Sequence, residues 1–263
     1  MDRVNQEWYA RPEAVAAFSG NDLLEPTLVM LLIRYRDWIL DRDVLDIGAG
    51  PGRTTAYLSR LTQGYVGIDY SPSMVAHCAR RFPSARLELG DARDLTRFEP
   101  SSFDFVLFSY AGIGALDHEG RLQVLSEVRR ILRPGGLFAF SAHNREYFAA
   151  HKGPRLRLHR NPVTFLANVV RWLRDIWNHA RRRPLERELP EYALINDLAE
   201  GFRLIHYYID HGRQRRQLAD AGLEVVAVHD DEINVVQPDA LVIKAPWIWY
   251  VVRRATDGTD RVV

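Results

Sequence analysis

A short apolar run, Val44-Leu45-Asp46-Ile47, passes directly into Gly48-Ala49-Gly50-Pro51-Gly52-Arg53-Thr54, and an amphipathic segment follows. Glycines at alternate positions let the backbone turn tightly and let a ligand approach the main chain where a helix N-terminus begins. Such a turn after the first strand of an α/β unit puts a ligand at the carboxyl edge of a parallel sheet. From Asp43 to about Ala142 the chain keeps that rhythm, with apolar runs at Tyr65 to Ile68, Ala85 to Leu89, Phe103 to Phe108 and Leu137 to Phe140. The segments between them read as covering helices. Ser71 before Pro72 is an N-cap and first-turn pair, and Val75, Cys78, Ala79 and Phe82 then share a face, which makes the single cysteine a core residue. Leu122, Leu125, Val128 and Leu132 form the next apolar face, closed by Pro134-Gly135-Gly136. Only about a dozen residues separate the third and fourth runs, so that crossover must be short or poorly helical.

Two nucleotide readings of the loop compete. A dinucleotide fingerprint, G-x-G-x-x-G/A, wants a small residue at position 53, where this chain has arginine. A phosphate-binding P-loop fails outright, because no glycine is followed at the required spacing by Gly-Lys and a hydroxyl residue. Asp69 ends the second run, where an acid can accept from both ribose hydroxyls of a nucleoside; Ser71 already fills the helix-capping role. Asp91 follows the third run, where it can accept from an adenine amino group or simply form a turn after Gly90.

The rhythm breaks from Asn144 to about Tyr208. Asn161 caps an expected helix from Pro162 to about Ala180, in which Val163, Leu166, Val170, Leu173 and Trp177 recur at helical steps. Between His151 and Pro190 stand ten Lys or Arg against three acids, although the whole chain carries 35 basic and 34 acidic residues. The near-neutral total excludes a global field for nucleic acid, and no nucleic-acid partner is expected. The basic insertion suits a cap over a small-molecule pocket, an amphipathic helix on a membrane, or a patch for an anionic partner. The cap is the preferred reading, with Trp172, Trp177, Tyr192, Phe202, Tyr207 and Tyr208 lining an apolar pocket. After the insertion come a helix near Arg213 to Ala221 closed by Gly222, a strand Leu223 to His229, and a run Trp247 to Val252. The gap before that last run is too short for a helical crossover, so it is expected to be antiparallel. The acidic run Asp230-Asp231-Glu232 reads as an exposed loop. The N-terminal residues lack the apolar core of a secretory signal, and one cysteine fits a reducing compartment, so the expected location is cytoplasmic.

Taken in order, VLDIGAGPGRT, GIDYS, GDARDL, FDFVLFSYAGI and ILRPGGLFAFSAHN resemble the class I, seven-stranded, S-adenosylmethionine-dependent methyltransferases over about Val44 to Asn144. The resemblance implies a doubly wound, Rossmann-like α/β sheet ordered 3-2-1-4-5-7-6 with the last strand antiparallel, here carrying a helical cap insertion. The expected division is an N-terminal helical lid (1–42), a cofactor-binding core (43–143), the insertion (144–208), the C-terminal part of the core (209–254) and a loose tail (255–263). By similarity, S-adenosylmethionine is the cofactor. Asp46, Gly48, Gly50 and Gly52 would surround its methionine part, Asp69 its ribose, and Asp91 with Ala92 its adenine, with Ala49 and Tyr70 as further cofactor-binding residues. Arg53 would lie nearby, and Ser109 with Tyr110 beside the sulfonium. His143, at the carboxyl end of the fifth strand, and His118, beside Asp117, are candidate bases, while Tyr9 is a candidate lid residue. Ser109-Tyr110-Ala111-Gly112 replaces the acids of the metal-dependent catechol type, so no metal is expected. The implied reaction is methyl transfer to oxygen or nitrogen of a small metabolite, natural-product biosynthesis being one setting, by a monomer or homodimer. A lipid or membrane-embedded acceptor, and a non-catalytic cofactor-binding protein, are the alternatives; an NAD-dependent oxidoreductase ranks behind both.

Overall fold

A computed structural model describes residues 1–20, 22–147, 149 and 153–255, so all but the first residue of the expected tail lies outside it. Three helices lead the chain: α1 (Asp2–Tyr9), α2 (Pro12–Ser19) and α3 (Pro26–Arg34). Then alternate β1 (Val44–Ile47), α4 (Thr55–Leu61), β2 (Tyr65–Asp69), α5 (Pro72–Arg81), β3 (Arg86–Leu89), β4 (Phe103–Phe108), α6 (His118–Ile131) and β5 (Leu132–Asn144). The insertion holds α7 (Pro162–Arg182) and the short strands β6 (Arg187–Glu188), β7 (Ala193–Ile195) and β8 (His206–Ile209). The chain closes with α8 (His211–Asp220), β9 (Leu223–Asp230) and β10 (Trp247–Arg254).

Caps at the helix starts are the ones whose side chains compete best for free backbone N–H groups. Ser71 accepts from Met74, Asn161 from Val163 and Thr164, and Asp210 from Arg213. Strands β3, β2, β1, β4 and β5 lie side by side in parallel. β10 then runs antiparallel to both β5 and β9. With β9 and β10 as sixth and seventh strands, the order is 3-2-1-4-5-7-6, as expected. The addition is a ribbon built from the insertion: β8 pairs in parallel with the last two residues of β5, and β7 and β6 follow antiparallel. The insertion is thus strand as well as helix.

Period-2 alternation along the strands divides the core between the two faces of the sheet. Val44, Phe105, Leu107, Ala139 and Trp249 pack with Leu28, Leu31 and Leu32 of α3, whereas Leu45, Ile47, Val106, Phe138 and Tyr250 pack with α6 and α8. The apolar faces read from the sequence are turned slightly. On α5 the buried residues are Met74 and Cys78, with Ala79 exposed. On α6, Leu122 is exposed while Arg121 is fully buried. The arginine is accommodated because Gln217 accepts from its Nε at 2.7 Å, Gln214 accepts from Nη2, and its guanidinium lies 4.8 Å from the Tyr207 ring centre. No helix among the described residues is long and apolar enough to cross a membrane.

Candidate active site

The carboxyl ends of β1, β2 and β4 converge on a cavity of about 220 Å³, and the glycine loop forms one wall of it. Gly48, Gly50 and Gly52 all have positive φ. The loop is tied to β2 twice: Ala49 N–H donates to Ile68 O at 3.0 Å, and Gly50 N–H donates to Asp69 Oδ2 at 2.9 Å. Gly48, Ala49, Gly50 and Arg53 line the cavity. Gly52 lies behind them, where a Cβ would come within 2.5 Å of the Phe82 ring and 2.8 Å of Cys78 Sγ. Its task is close packing of the loop on α5.

The three acids have different surroundings. Asp69 lines the cavity, and its second oxygen accepts from Ser71 N–H at 2.8 Å. Burial pushes its carboxyl up to about 6, against which the two backbone N–H bonds pull down. Asp91 also lines the cavity but is gripped by Arg93, whose Nη2 lies 2.6 Å and Nε 3.0 Å from its oxygens. Burial raises this carboxyl, yet the hydrogen bonds and charge of Arg93 hold it below the ordinary range. Asp46 is not in the wall: it is fully buried beneath the loop, where Thr54 Oγ1 (2.6 Å) and the Tyr65 hydroxyl (2.9 Å) donate to one oxygen and the other has no partner among the described residues. Burial lifts its carboxyl to about 7.

Asp46 makes a pH prediction. The group titrates at 3.8 unperturbed and at about 7 in the fold, so the folded state binds the proton more tightly. Its stabilising contribution is complete below pH 3.8 and is lost as pH rises through 7. Asp46→Asn keeps the acceptor without the charge, so its melting temperature should gain on wild type as pH rises from 3.8 to about 7 (about one proton's linkage). Parallel curves would contradict this.

Tyr9 reaches the cavity together with Asn5 and Gln6 of the same helix, and its ring meets Tyr70 edge-on at 6.1 Å. Burial and nearby acids hold the Tyr9 phenol far above its ordinary range, so it is neutral. The sequence reading missed what anchors α1. Buried Asn5 donates to Ala115 O (2.8 Å) and Ile205 O (2.7 Å) and accepts from Ile205 N–H. Asp2 accepts from Arg93 Nη1 at 2.7 Å and from Asp117 N–H at 2.9 Å. The signal available in the sequence was helical spacing, since Asn5 shares a face with Trp8 and Tyr9, three and four residues on. Asn5→Ala strands three buried backbone groups, and we expect faster hydrogen exchange in α1 and roughly tenfold weaker binding in the cavity, about 1.4 kcal/mol; unaltered exchange would refute the anchoring role.

Ser109 and Tyr110 follow β4 into the cavity wall. Tyr110 and Ala111 both take left-handed φ values, 51° and 52°, a strained pair for non-glycine residues. Ser141 Oγ secures it by accepting from Ala111 N–H at 2.7 Å, and the Arg53 guanidinium lies 4.4 Å from the Tyr110 ring centre. Ala92 completes the wall near Asp91.

Neither candidate histidine lines this cavity. His118 is stacked against Tyr192 and hydrogen-bonded to the Tyr207 hydroxyl at 2.9 Å. His143 lies behind Gly114, its ring 4.6 Å from His206 and 4.8 Å from Tyr208. Burial and the neighbouring His206 push its imidazole well below the ordinary value. Ligand atoms of His143, His206 and Asp197 lie within 4.8 Å of one another. Asp197, however, already accepts from His206 Nδ1 (2.8 Å), the Tyr208 hydroxyl (2.7 Å) and Ala199 N–H (2.9 Å), so its oxygens are satisfied as a hydrogen-bonded cluster.

Among the described residues, none of the insertion lines the cavity, contrary to the preferred sequence reading. No residue of α7 or β6–β8 lines it; Phe202, Tyr207 and Tyr208 are spent in the core, and Trp177 is 58% exposed. The acidic run after β9 is a turn, in which Asp230 accepts from Glu232 and Asn234 N–H groups.

Residues 44–136 match a protein-family profile described as "Methyltransferase domain". The chain is 33% identical over 174 residues to phthiotriol/phenolphthiotriol dimycocerosates methyltransferase 1 of Mycobacterium ulcerans (strain Agy99), covering 62% of each. It is 38% identical over 103 residues to the fatty-acid O-methyltransferase of Mycolicibacterium smegmatis, covering 37% of this chain and 38% of that one. The chain thus spans less than two thirds of either relative. Among solved structures, an S-adenosylmethionine-dependent methyltransferase from Clostridium acetobutylicum shares the fold, with TM-score 0.58, 15% identity, and coverage of 87% of this chain and 89% of that one.

Proposed function

We propose that this chain transfers the methyl group of S-adenosylmethionine to an oxygen or nitrogen of a small apolar metabolite, because residues 44–136 match a methyltransferase-domain profile and lie in a Rossmann-like fold shared with such an enzyme. The observation that carries the reading is the cavity wall: loop backbone on one side, the buried Asp69 carboxylate beneath, and a buried Tyr70 hydroxyl with no partner among the described residues. An unsatisfied buried hydroxyl beside a carboxylate suits a polar ligand such as a ribose. When bound, the cofactor supplies a methyl carbon already activated by a positively charged sulfur. Asp69 would accept from the ribose hydroxyls, Ala92 would flank the adenine with the Asp91–Arg93 pair, and the Ser109-Tyr110 corner would face the methyl. Tyr9, neutral and held by the α1 anchors, would exclude water. These residues orient and enclose; approach geometry then suffices for a carboxylate or an unprotonated amine acceptor, whereas a hydroxyl or protonated nitrogen would also have to give up its proton to a base.

Phe18, Phe108 and Leu116 add apolar surface to the wall, which favours an apolar acceptor. The two relatives named for dimycocerosates and for a fatty acid support that class. The test is incubation of the purified chain with methyl-labelled S-adenosylmethionine and a cell extract, sorted into small-molecule, lipid, protein and RNA pools. Label in an apolar small-molecule or lipid pool is expected. Label confined to protein or RNA overturns the acceptor class, and tight NADH binding without S-adenosylhomocysteine binding in calorimetry overturns the cofactor.

A further inference from the structure

Helix α7 is turned inside out relative to a helix packed on a core. Its buried residues are the polar Asp175 and Asn178, and Asn178 Nδ2 donates to Gly201 O at 2.8 Å. Its exposed stripe is apolar: Val163 (76%), Leu166 (64%), Val170 (61%), Leu173 (55%) and Trp177, continued by Leu158 (81%) ahead of the cap. Between Arg155 and Arg183 the chain carries eight arginines and one acid, Asp175, whose charge faces Arg174 at 3.0 Å. Arg181 lies 4.6 Å over the Trp177 ring at the edge of the stripe.

We propose that α7 is a docking helix that lies in the headgroup region of an anionic lipid surface. Charge complementarity selects that occupant. An apolar stripe bordered by cations suits acyl chains beneath anionic headgroups, whereas a second copy would bring eight more arginines against the first. The α7 charges forbid a transmembrane placement, so the helix rests in the interfacial plane. Its inner face bears on the segment that carries the lid anchor. Asn178 holds Gly201, Arg203 lies 4.4 Å over the Trp8 ring, and Ile205 is bound to Asn5 of α1. Docking would therefore set the lid side of the cavity near the lipid, where an apolar acceptor resides; this consequence rests on the function proposed above, the docking itself does not.

The test is co-sedimentation of the full chain with phosphatidylcholine vesicles with and without about a third phosphatidylglycerol, at low and physiological salt. Pelleting is expected at least tenfold stronger with the anionic vesicles, weakening as salt rises. The variant Leu166→Glu/Leu173→Glu should lose that binding, and Arg155→Glu/Arg157→Glu/Arg160→Glu should lose most of it, while both keep wild-type melting temperature and S-adenosylhomocysteine affinity in lipid-free buffer. Wild type left in the supernatant, or equal pelleting of wild type and the Leu166/Leu173 variant, overturns the proposal. So does a wild-type dimer in sedimentation velocity that the same variant converts to monomer, which would assign the stripe to a second copy. S-adenosylhomocysteine affinity reads the proposed function separately from the pelleting.

Discussion

Asp69→Ala should lower the affinity for S-adenosylhomocysteine by two orders of magnitude or more. The carboxylate is buried at the end of β2 and already binds Gly50 and Ser71 N–H. Each oxygen keeps further acceptor capacity, and two charge-assisted bonds to ribose hydroxyls contribute about 1.5–3 kcal/mol apiece. Alanine removes these and also frees Gly50, whose N–H helps hold the loop. Asp69→Asn should fall between, since its amide can accept with one oxygen but must turn an NH₂ toward a backbone donor. With the free carboxyl at about 6, affinity in the wild type should also decline as pH drops below that value. Calorimetry measures both effects, and an Asp69→Ala affinity within threefold of wild type would remove Asp69 from the ribose role.

The second large effect concerns folding. Gly52→Ala places a Cβ at φ +100°, within 2.5 Å of the Phe82 ring and 2.8 Å of Cys78 Sγ. Backbone strain of about 1–3 kcal/mol adds to overpacking of about 1–3 kcal/mol, so roughly 3–5 kcal/mol of stability should go. For a chain of this size that is a fall in melting temperature of roughly 6–20 °C. Gly50→Ala is the control: its φ is also positive, but the nearest atom to a new Cβ is Gly48 O at 3.8 Å, so only the strain, about 1–2 kcal/mol, should appear. Equal losses from the two variants would mean that the contact with α5 is not what requires glycine at position 52.

These residues also show what the sequence made legible. Val44–Ile47 and Phe103–Phe108 emerged with their boundaries because they are buried on both faces and bounded by turns or charge. Asn161 marked the start of α7, and the short gap before Trp247 dictated an antiparallel last strand. Periodicity failed where polar groups are buried by specific partners. Arg121 displaced Leu122 from the interior because Gln214 and Gln217 on α8 await it, and no local pattern encodes that meeting. The same blindness hid Asn5, a polar residue buried by partners more than a hundred positions away. An apolar stripe predicts burial against something, so the sequence identified the stripe of α7 but not the side of the protein it faces. His143 does stand near the carboxyl end of β5, but the Gly114 turn separates it from the cavity, which only the three-dimensional course of that turn reveals. Asp46 sits in the expected motif, yet strand alternation sends it under the loop toward Thr54 and Tyr65.

The thirteen-residue strand β5 belongs to two structures at once. Its middle is sandwiched between β4 and β10, while His143 and Asn144 at its end carry β8. The insertion is therefore continuous with the core by main-chain hydrogen bonding and is no detachable module. Grafting another insertion into this chain to change the acceptor would succeed only if the graft returned a strand in the register of Tyr208 and Ile209. A replacement ending in helix or loop would expose the tip of β5 as an open edge, inviting mispairing between molecules. Recombination within this fold is thereby restricted to junctions that preserve both sides of one strand.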